Sequence, residues 1–323
     1  MKGKINVYIR EGKLKYDFEL KRNITVIRGN SGSGKSTLVR IIEDYLSDID
    51  NTGKSSTVIE CGKHDIITLD SRLWKFAEGN PENYSNSIIF IDEQNSFMKS
   101  SAFKKFVEQS KAYFVLITRN SLRQLSYSID EIYEIETKSG VHKFINLYPN
   151  KYKFYINDYI QHKPSYILTE DCGAGFKFFD SLNIDCETVD GNSNIVNVLK
   201  EEIPLDTMLV ADGAAFGSLI DTVTPYIKRN KVQFYLPESF EYLLLDESVF
   251  GDSIFDVKNN TYNYAEGCSW EQFYTNYLKN KIKELGINYK KGELPKVFLD
   301  NRDEILKNNN LGFLIDFKQS NEL

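Results

Sequence analysis

The chain has 323 residues, 41% hydrophobic and 27% charged, enough for about two domains with cores of their own; this excludes a disordered chain. A formal net charge of -6 and a pI near 5.4 exclude a protein that coats nucleic acid non-specifically, because that mode neutralises phosphates with clustered Lys and Arg. A local basic groove stays open.

Residues 4 to 20 alternate apolar and polar around Glu11-Gly12-Lys13, with Ile5, Val7 and Ile9 before the turn and Leu14, Tyr16, Phe18 and Leu20 after it, which predicts a hairpin. Ile24-Thr25-Val26-Ile27 reads as a buried strand. The helical spacing of Leu38, Ile41, Ile42 and Tyr45 predicts a helix after Thr37. Between them stands Gly29-Asn30-Ser31-Gly32-Ser33-Gly34-Lys35-Ser36-Thr37, a phosphate-binding loop by pattern and by context. Glycines let backbone N–H groups converge on phosphate oxygens, and the helix N-terminus adds partial positive charge. Lys35 is expected on the β- and γ-phosphates of ATP and Ser36 on Mg2+.

Residues 48 to 56 read as a surface loop, and Thr57–Glu60 and Ile66–Leu69 as short strands. Ser87-Ile88-Ile89-Phe90-Ile91 is an apolar run ending in Asp92-Glu93, a Walker B pattern. Asp92 is expected in the Mg2+ shell, and Glu93 as the catalytic group polarising the attacking water. Tyr113–Thr118 is another buried strand, whose end carries Arg119. This arginine reads either as a γ-phosphate sensor or as a surface residue. Residues 131 to 147 predict a hairpin turning at Ser139-Gly140, and Tyr148-Pro149-Asn150 marks a domain boundary.

The hairpin followed by these motifs resembles the opening of ABC-type ATPases. A comparable strand there ends in Thr-His, where this chain has Thr118-Arg119. The chain carries no Leu-Ser-Gly-Gly-Gln-like signature and no long heptad insertion, so the resemblance is to a reduced ATPase, slow or partner-dependent.

Lys151-Tyr152-Lys153-Phe154-Tyr155 reads as interdomain packing, with base stacking as the alternative. From Tyr166, strands and helices alternate: strands at 166–169, 184–189, 207–211 and 232–235, with helices between, predict a small parallel sheet. Glu170, Asp212 and Glu238 fall at carboxyl ends of those strands or in the turns beyond, a set suited to Mg2+ or Mn2+. The aromatic stripe Trp270, Phe273, Tyr277 and Leu278 predicts a C-terminal helix used for packing or homo-oligomerisation.

Glu170, Gly191, Asn194, Asp212 and the segment Pro237–Leu243 resemble a TOPRIM domain, over about residues 164 to 250. The order of ATPase and then TOPRIM is similar to OLD-family nucleases and related phage-defence proteins. That resemblance implies catalytic roles for Glu170 and Asp212. The chain departs from it at Asp212-Gly213-Ala214, where such nucleases carry Asp-x-Asp, so Asp171 or Glu238 would have to supply the missing ligand.

The expected fold is therefore α/β: an ATPase domain over 1–150, a TOPRIM-like domain over 151–255 and a helical extension over 256–323. Two functions follow. One is an ATP-regulated, metal-dependent nuclease acting on DNA or RNA. The other is an ATP-dependent sensor or scaffold whose TOPRIM-like domain binds a protein partner or effector without cutting. A small-molecule kinase is disfavoured by the lack of an Arg-rich lid. Cys61, Cys172, Cys186 and Cys268 form no C-x-x-C pair, and His64, His142 and His162 show no ligand spacing, so free thiols and no zinc are expected. The start Met1–Asn6 lacks an apolar signal core and no apolar run approaches a membrane span, so a cytoplasmic protein without membrane contact is expected.

Overall fold

The computed structural model describes residues 3–29, 32–148, 163–230, 232–265 and 269–315. Asn30, Ser31, the boundary residues Pro149 and Asn150, the basic–aromatic stretch 151–155, His162 and Cys268 lie outside them. Contacts divide the chain into two compact α/β units, Met1–Pro149 with Tyr262–Gly267 and Asn150–Thr261 with Cys268–Leu323.

In the first unit, β1 (Ile5–Glu11) and β2 (Leu14–Leu20) form the expected hairpin, pairing Ile5 with Leu20, Val7 with Phe18 and Ile9 with Tyr16. Those residues are buried and their neighbours in sequence face out, the period-2 pattern of a one-sided strand. The next strands are β3 (Ile24–Arg28), β4 (Val58–Glu60), β5 (Asp65–Thr68), β6 (Ser87–Ile91) and β7 (Tyr113–Ile117). They are followed by β8 (Ile132–Lys138) and β9 (Val141–Asn146). The sheet order is β4-β1-β2-β9-β8-β3-β7-β6-β5.

From β8 to β5 the strands run parallel, and β3, β6 and β7 are buried along their whole length. This two-sided burial explains why these three read as unbroken apolar runs. The β8–β9 hairpin turns at Ser139 (φ 53) and Gly140 (φ 76), consecutive positive-φ residues whose twist suits a tight hairpin. The helix Lys35–Thr52 buries Leu38, Val39, Ile41 and Ile42, at about 1.5–3 kcal/mol for each fully buried aliphatic side chain. Tertiary burial, rather than intrinsic propensity, therefore holds this helix in place.

The second unit has a four-stranded parallel sheet of β10 (Tyr166–Thr169), β11 (Asp185–Thr188), β12 (Thr207–Val210) and β13 (Gln233–Tyr235), in the order β11-β10-β12-β13. The C-terminal helices Trp270–Glu284, Lys296–Asp300 and Arg302–Asn308 share one core with this sheet: Tyr274, Leu278, Ile282, Phe298 and Ile305 pack in the same cluster as Phe178, Phe179 and Met208. Residues 269–315 thus belong to the sheet's own core rather than to a layer apart. The buried stripe of the first of these helices is Tyr274, Leu278 and Ile282, while Trp270, Phe273 and Tyr277 are only partly buried against it. The aromatic residues dominate the sequence pattern, yet the i, i+4, i+8 row beside them faces inward.

Candidate functional site

Two groups of chemistry-bearing side chains stand at strand ends, one in each unit. In the first unit β7 lies between β3 and β6, with Ile27 opposite Ile117 and Ile91 opposite Leu116. Parallel strands deliver their exits to one edge, so the loop after β3, Asp92-Glu93 after β6 and Arg119 after β7 share it.

Within the loop, Lys35 folds back: its Nζ donates to the Gly29 carbonyl at 2.7 Å and to Ser33 Oγ at 3.1 Å. Burial holds its ammonium below the ordinary value, against the pull of Glu93. Gly34 caps the helix with φ 92, and a Cβ there would stand 3.1 Å from the Tyr16 hydroxyl. That hydroxyl donates to the Gly34 carbonyl at 2.9 Å, and burial pushes it up to about 12, so it remains a donor at neutral pH.

Arg119 makes a two-pronged pair with Glu93, Nε to Oε2 at 2.9 Å and Nη2 to Oε1 at 2.9 Å. The arginine side chain is 64% exposed, so a competing anion can draw it away at little cost. A cavity of about 340 Å3 is lined by Gly34, Lys35, Ser36, Thr37, Glu93 and Arg119 together with Tyr16 and His142. The rings of Tyr16 and His142 stack at 4.6 Å. An 18-residue helix N-terminus, a lysine and an arginine around one cavity suit a polyanion. Ser36 lines this cavity, whereas Asp92 stands outside its lining, with Oδ1 accepting the Glu93 N–H at 2.7 Å; a Mg2+ that takes one or two protein ligands and completes its shell with phosphate and water could be held by Ser36 and Asp92. Tyr16 and His142 carry no motif signal and enter only through the pairing of β2 with β9, where they are partners.

In the second unit, Glu170 follows β10 and Asp212 follows β12. Glu170 Oε2 accepts the Asp212 N–H at 2.8 Å, and Asp212 Oδ1 accepts the Phe240 N–H at 3.0 Å. Burial raises the pKa of both, and for Asp212 the Glu170 charge adds to it. A cavity of about 440 Å3 is lined by Glu170, Asp212, Glu241, Glu271 and Lys291, with Glu238 outside its lining. Asp171 is spent on capping, accepting the N–H groups of Gly173 at 2.7 Å and Phe176 at 3.1 Å through Oδ1 and that of Gly175 through Oδ2. Gly191 (φ 102) donates its N–H to the Glu170 carbonyl, and Asn194 Nδ2 to the Asp190 carbonyl, so both shape the loop beside the cavity.

Glu241 is the acid that sequence reasoning passes over. It is 1% exposed; its Oε1 accepts the Tyr289 hydroxyl at 3.2 Å, and its Oε2 is buried without a hydrogen-bond partner among the described residues. Its only sequence cue is its place in the helix start Pro237–Leu243. Glu271 and Lys291 lie far along the chain and give no cue at all.

The fit of a divalent ion here is poor as the unit is folded: among the described residues no three His, Cys, Asp or Glu side chains are gathered closely enough to hold a metal ion. Gly213 shows why the exit of β12 is built as it is. Its N–H donates to the Pro237 carbonyl at 2.6 Å, and a Cβ would stand 2.5 Å from the Leu236 carbonyl oxygen, so only glycine permits this approach.

Among the described residues the cysteines are free: Cys61 is buried, Cys172 exposed and Cys186 half-buried. No helix of the described residues is long and apolar enough to cross a membrane. No protein-family model and no curated protein matches the chain.

Proposed function

We propose that this protein binds and hydrolyses ATP, and that its nucleotide cycle regulates the second, TOPRIM-like unit. The observation that carries the reading is the cavity in which Lys35, Ser36, Thr37, Glu93 and Arg119 meet at a strand–glycine loop–helix junction. In this reading Gly29, Gly32, Ser33 and Gly34 wrap the phosphates along with Asn30 and Ser31, and Lys35 leaves its carbonyl partner for the β- and γ-phosphates. Ser36 and Asp92 would hold Mg2+, which supplies charge neutralisation between the phosphate oxygens. Arg119 turns from Glu93 to the γ-phosphate, which frees Glu93 to orient water. The half-buried His142 ring, stacked on Tyr16, offers a face for the base.

ATP turnover by wild type beside Lys35→Ala and Glu93→Gln tests this. Wild-type turnover with binding lost in the first variant and turnover lost in the second is expected. A wild-type protein that neither binds nor hydrolyses ATP refutes it.

For the output of the second unit, the nuclease reading, with phage defence as its setting, rests on Glu170 and Asp212 at adjacent strand ends in one cavity. Cleavage of DNA or RNA with Mg2+ or Mn2+ and ATP, lost in Glu170→Ala and Asp212→Ala, is its test. The sensor or scaffold reading is favoured by a specific observation: both carboxylates are engaged by backbone N–H groups, and Ala214 stands where a second aspartate would. A mass in solution that changes with ATP, without cleavage, would select it.

A further inference from the structure

The second unit holds another cavity, of about 310 Å3, that shares no lining residue with the acidic one. Its walls come from the turn after the helix Phe240–Leu244, the short helix Phe255–Asn259 and the end of the helix Arg302–Asn308. Lys258, Asn309 and Glu247 supply polar groups to the lining, and Tyr242, Ile254 and Phe255 apolar ones. The volume stands at the lower end for small-molecule sites.

Lys258 Nζ donates to the Leu245 carbonyl at 2.9 Å and stands 4.1 Å from the centre of the Tyr242 ring. Among the described residues that carbonyl is its one hydrogen-bond acceptor, and no carboxylate pairs with it. Burial brings its pKa down to about 8, against the pull of Asp246 and Glu247. Asp246 does not serve as its partner, because it is 3% exposed and already engaged. Its Oδ1 accepts the Ser248 hydroxyl at 2.7 Å and the Asn308 amide at 2.9 Å, and its Oδ2 accepts the Asn309 amide at 3.1 Å. An ammonium with N–H groups to spare in a cavity wall is best met by a ligand carboxylate, since charge-assisted hydrogen bonds are the stronger kind.

Acceptors stand on the other walls. Asn309 is 9% exposed, and its Nδ2 also donates to the Ile305 carbonyl at 2.8 Å. With both amide hydrogens used the group cannot flip, and its Oδ1, which takes no hydrogen bond among the described residues, is fixed as an acceptor. Glu247 is exposed, with no hydrogen bond or ion pair to its carboxylate among the described residues.

We propose that this cavity binds a small zwitterion, an α-amino acid with an apolar side chain, whose carboxylate accepts from Lys258 and whose ammonium donates to Asn309 Oδ1 under the attraction of Glu247. The ligand's side chain covers Ile254 and Phe255, the second of which is 62% exposed without it. A plain carboxylate would face Asp246 and Glu247 with no positive group of its own, and a plain amine would face Lys258. A molecule carrying both signs answers the whole lining.

Calorimetry on the full chain, with neither nucleotide nor metal, tests this with L-phenylalanine, 3-phenylpropionate and phenethylamine, which carry both charged groups, the carboxylate alone and the ammonium alone. L-Phenylalanine should bind with a Kd on the order of 1 mM or tighter, and each of the other two more weakly. Lys258→Met should weaken L-phenylalanine by about tenfold or more, the loss of one charge-assisted hydrogen bond. Glu247→Gln should weaken it by about threefold without weakening 3-phenylpropionate, as fits a charge at an exposed position. Circular dichroism checks that each variant is folded, and Glu247→Gln, on the surface, keeps the test readable if Lys258→Met is not. No binding of L-phenylalanine overturns the proposal, as does either single-charge compound binding as tightly as L-phenylalanine, or an affinity that neither variant changes. A chain that proves inert toward ATP and nucleic acid leaves these affinities readable, so failure of the functional reading is distinguishable from failure of this one.

Discussion

Glu131, at the foot of β8 beside the strand that delivers the glycine loop, should make the first unit lose stability as pH rises toward neutrality. It is 2% exposed, accepts the Thr25 hydroxyl at 3.3 Å and lies 3.4 Å from Arg22 Nε. Burial outweighs the attraction of Arg22 and raises its carboxyl from 4.5 to about 7. Between those two values the folded state holds a proton that the unfolded state has released, so unfolding becomes easier with each step upward in pH. The full effect is on the order of 3 kcal/mol, reached above the folded value and absent below the unfolded one. The assay is urea unfolding from pH 4.5 to 8 in a Trp270→Phe background, where Trp74, buried and stacked on Phe97 at 4.8 Å, reports on the first unit alone. Glu131→Gln removes the titrating group and leaves Arg22 beside Asp130 at 3.8 Å, so it should flatten the difference between pH 5 and pH 7.5 relative to Glu131. Parallel stability curves for the two proteins would refute the argument.

Three further outcomes are expected. Arg119→Ala should lower kcat for ATP by about tenfold or more with little change in KM, because its charge acts on the phosphate only as negative charge develops; unchanged turnover would mark a surface arginine. Tyr16→Phe removes the hydrogen bond to the Gly34 carbonyl and should cost about 1 kcal/mol in urea unfolding while weakening ATP binding; an unaltered midpoint and affinity would show that the hydroxyl does not brace the loop. Gly213→Ala drives a Cβ against the Leu236 and Pro237 carbonyl oxygens and should destabilise the second unit by more than about 2 kcal/mol, read by Trp270 fluorescence in a Trp74→Phe background; a shift below about 0.5 kcal/mol would contradict that close approach.

What is legible in the sequence follows the range of the physics. Strands buried on both faces must be apolar throughout, so β3, β6 and β7 are plain in the chain, and because they run parallel the residues after them arrive at one edge without further information. Gly29, Lys35, Asp92, Glu93 and Arg119 are found this way, each within three residues of a strand or helix end. In the second sheet β10 and β12 are legible in the same way, and so are Glu170 and Asp212 after them, whereas the edge strand β11 is exposed or half-buried along its length. The choice of third acid is not, because Glu238 and Glu241 stand three residues apart around the start of the short helix Phe240–Leu244, and the sequence says nothing of which one faces the cavity.

The same limit explains the charge balance of the second unit. A carboxylate cavity read from strand ends alone looks like a metal site, since every local cue is an acid and no local cue is a base. The compensating charge enters from Lys291, more than a hundred residues after β10, carried on a turn whose register against Gly173 and Ala174 is a matter of backbone contact and not of pattern. Motifs report the groups a strand end presents, while the groups that neutralise them come from wherever the chain returns. The charge balance of the cavity therefore depends on that returning turn as much as on Glu170 and Asp212.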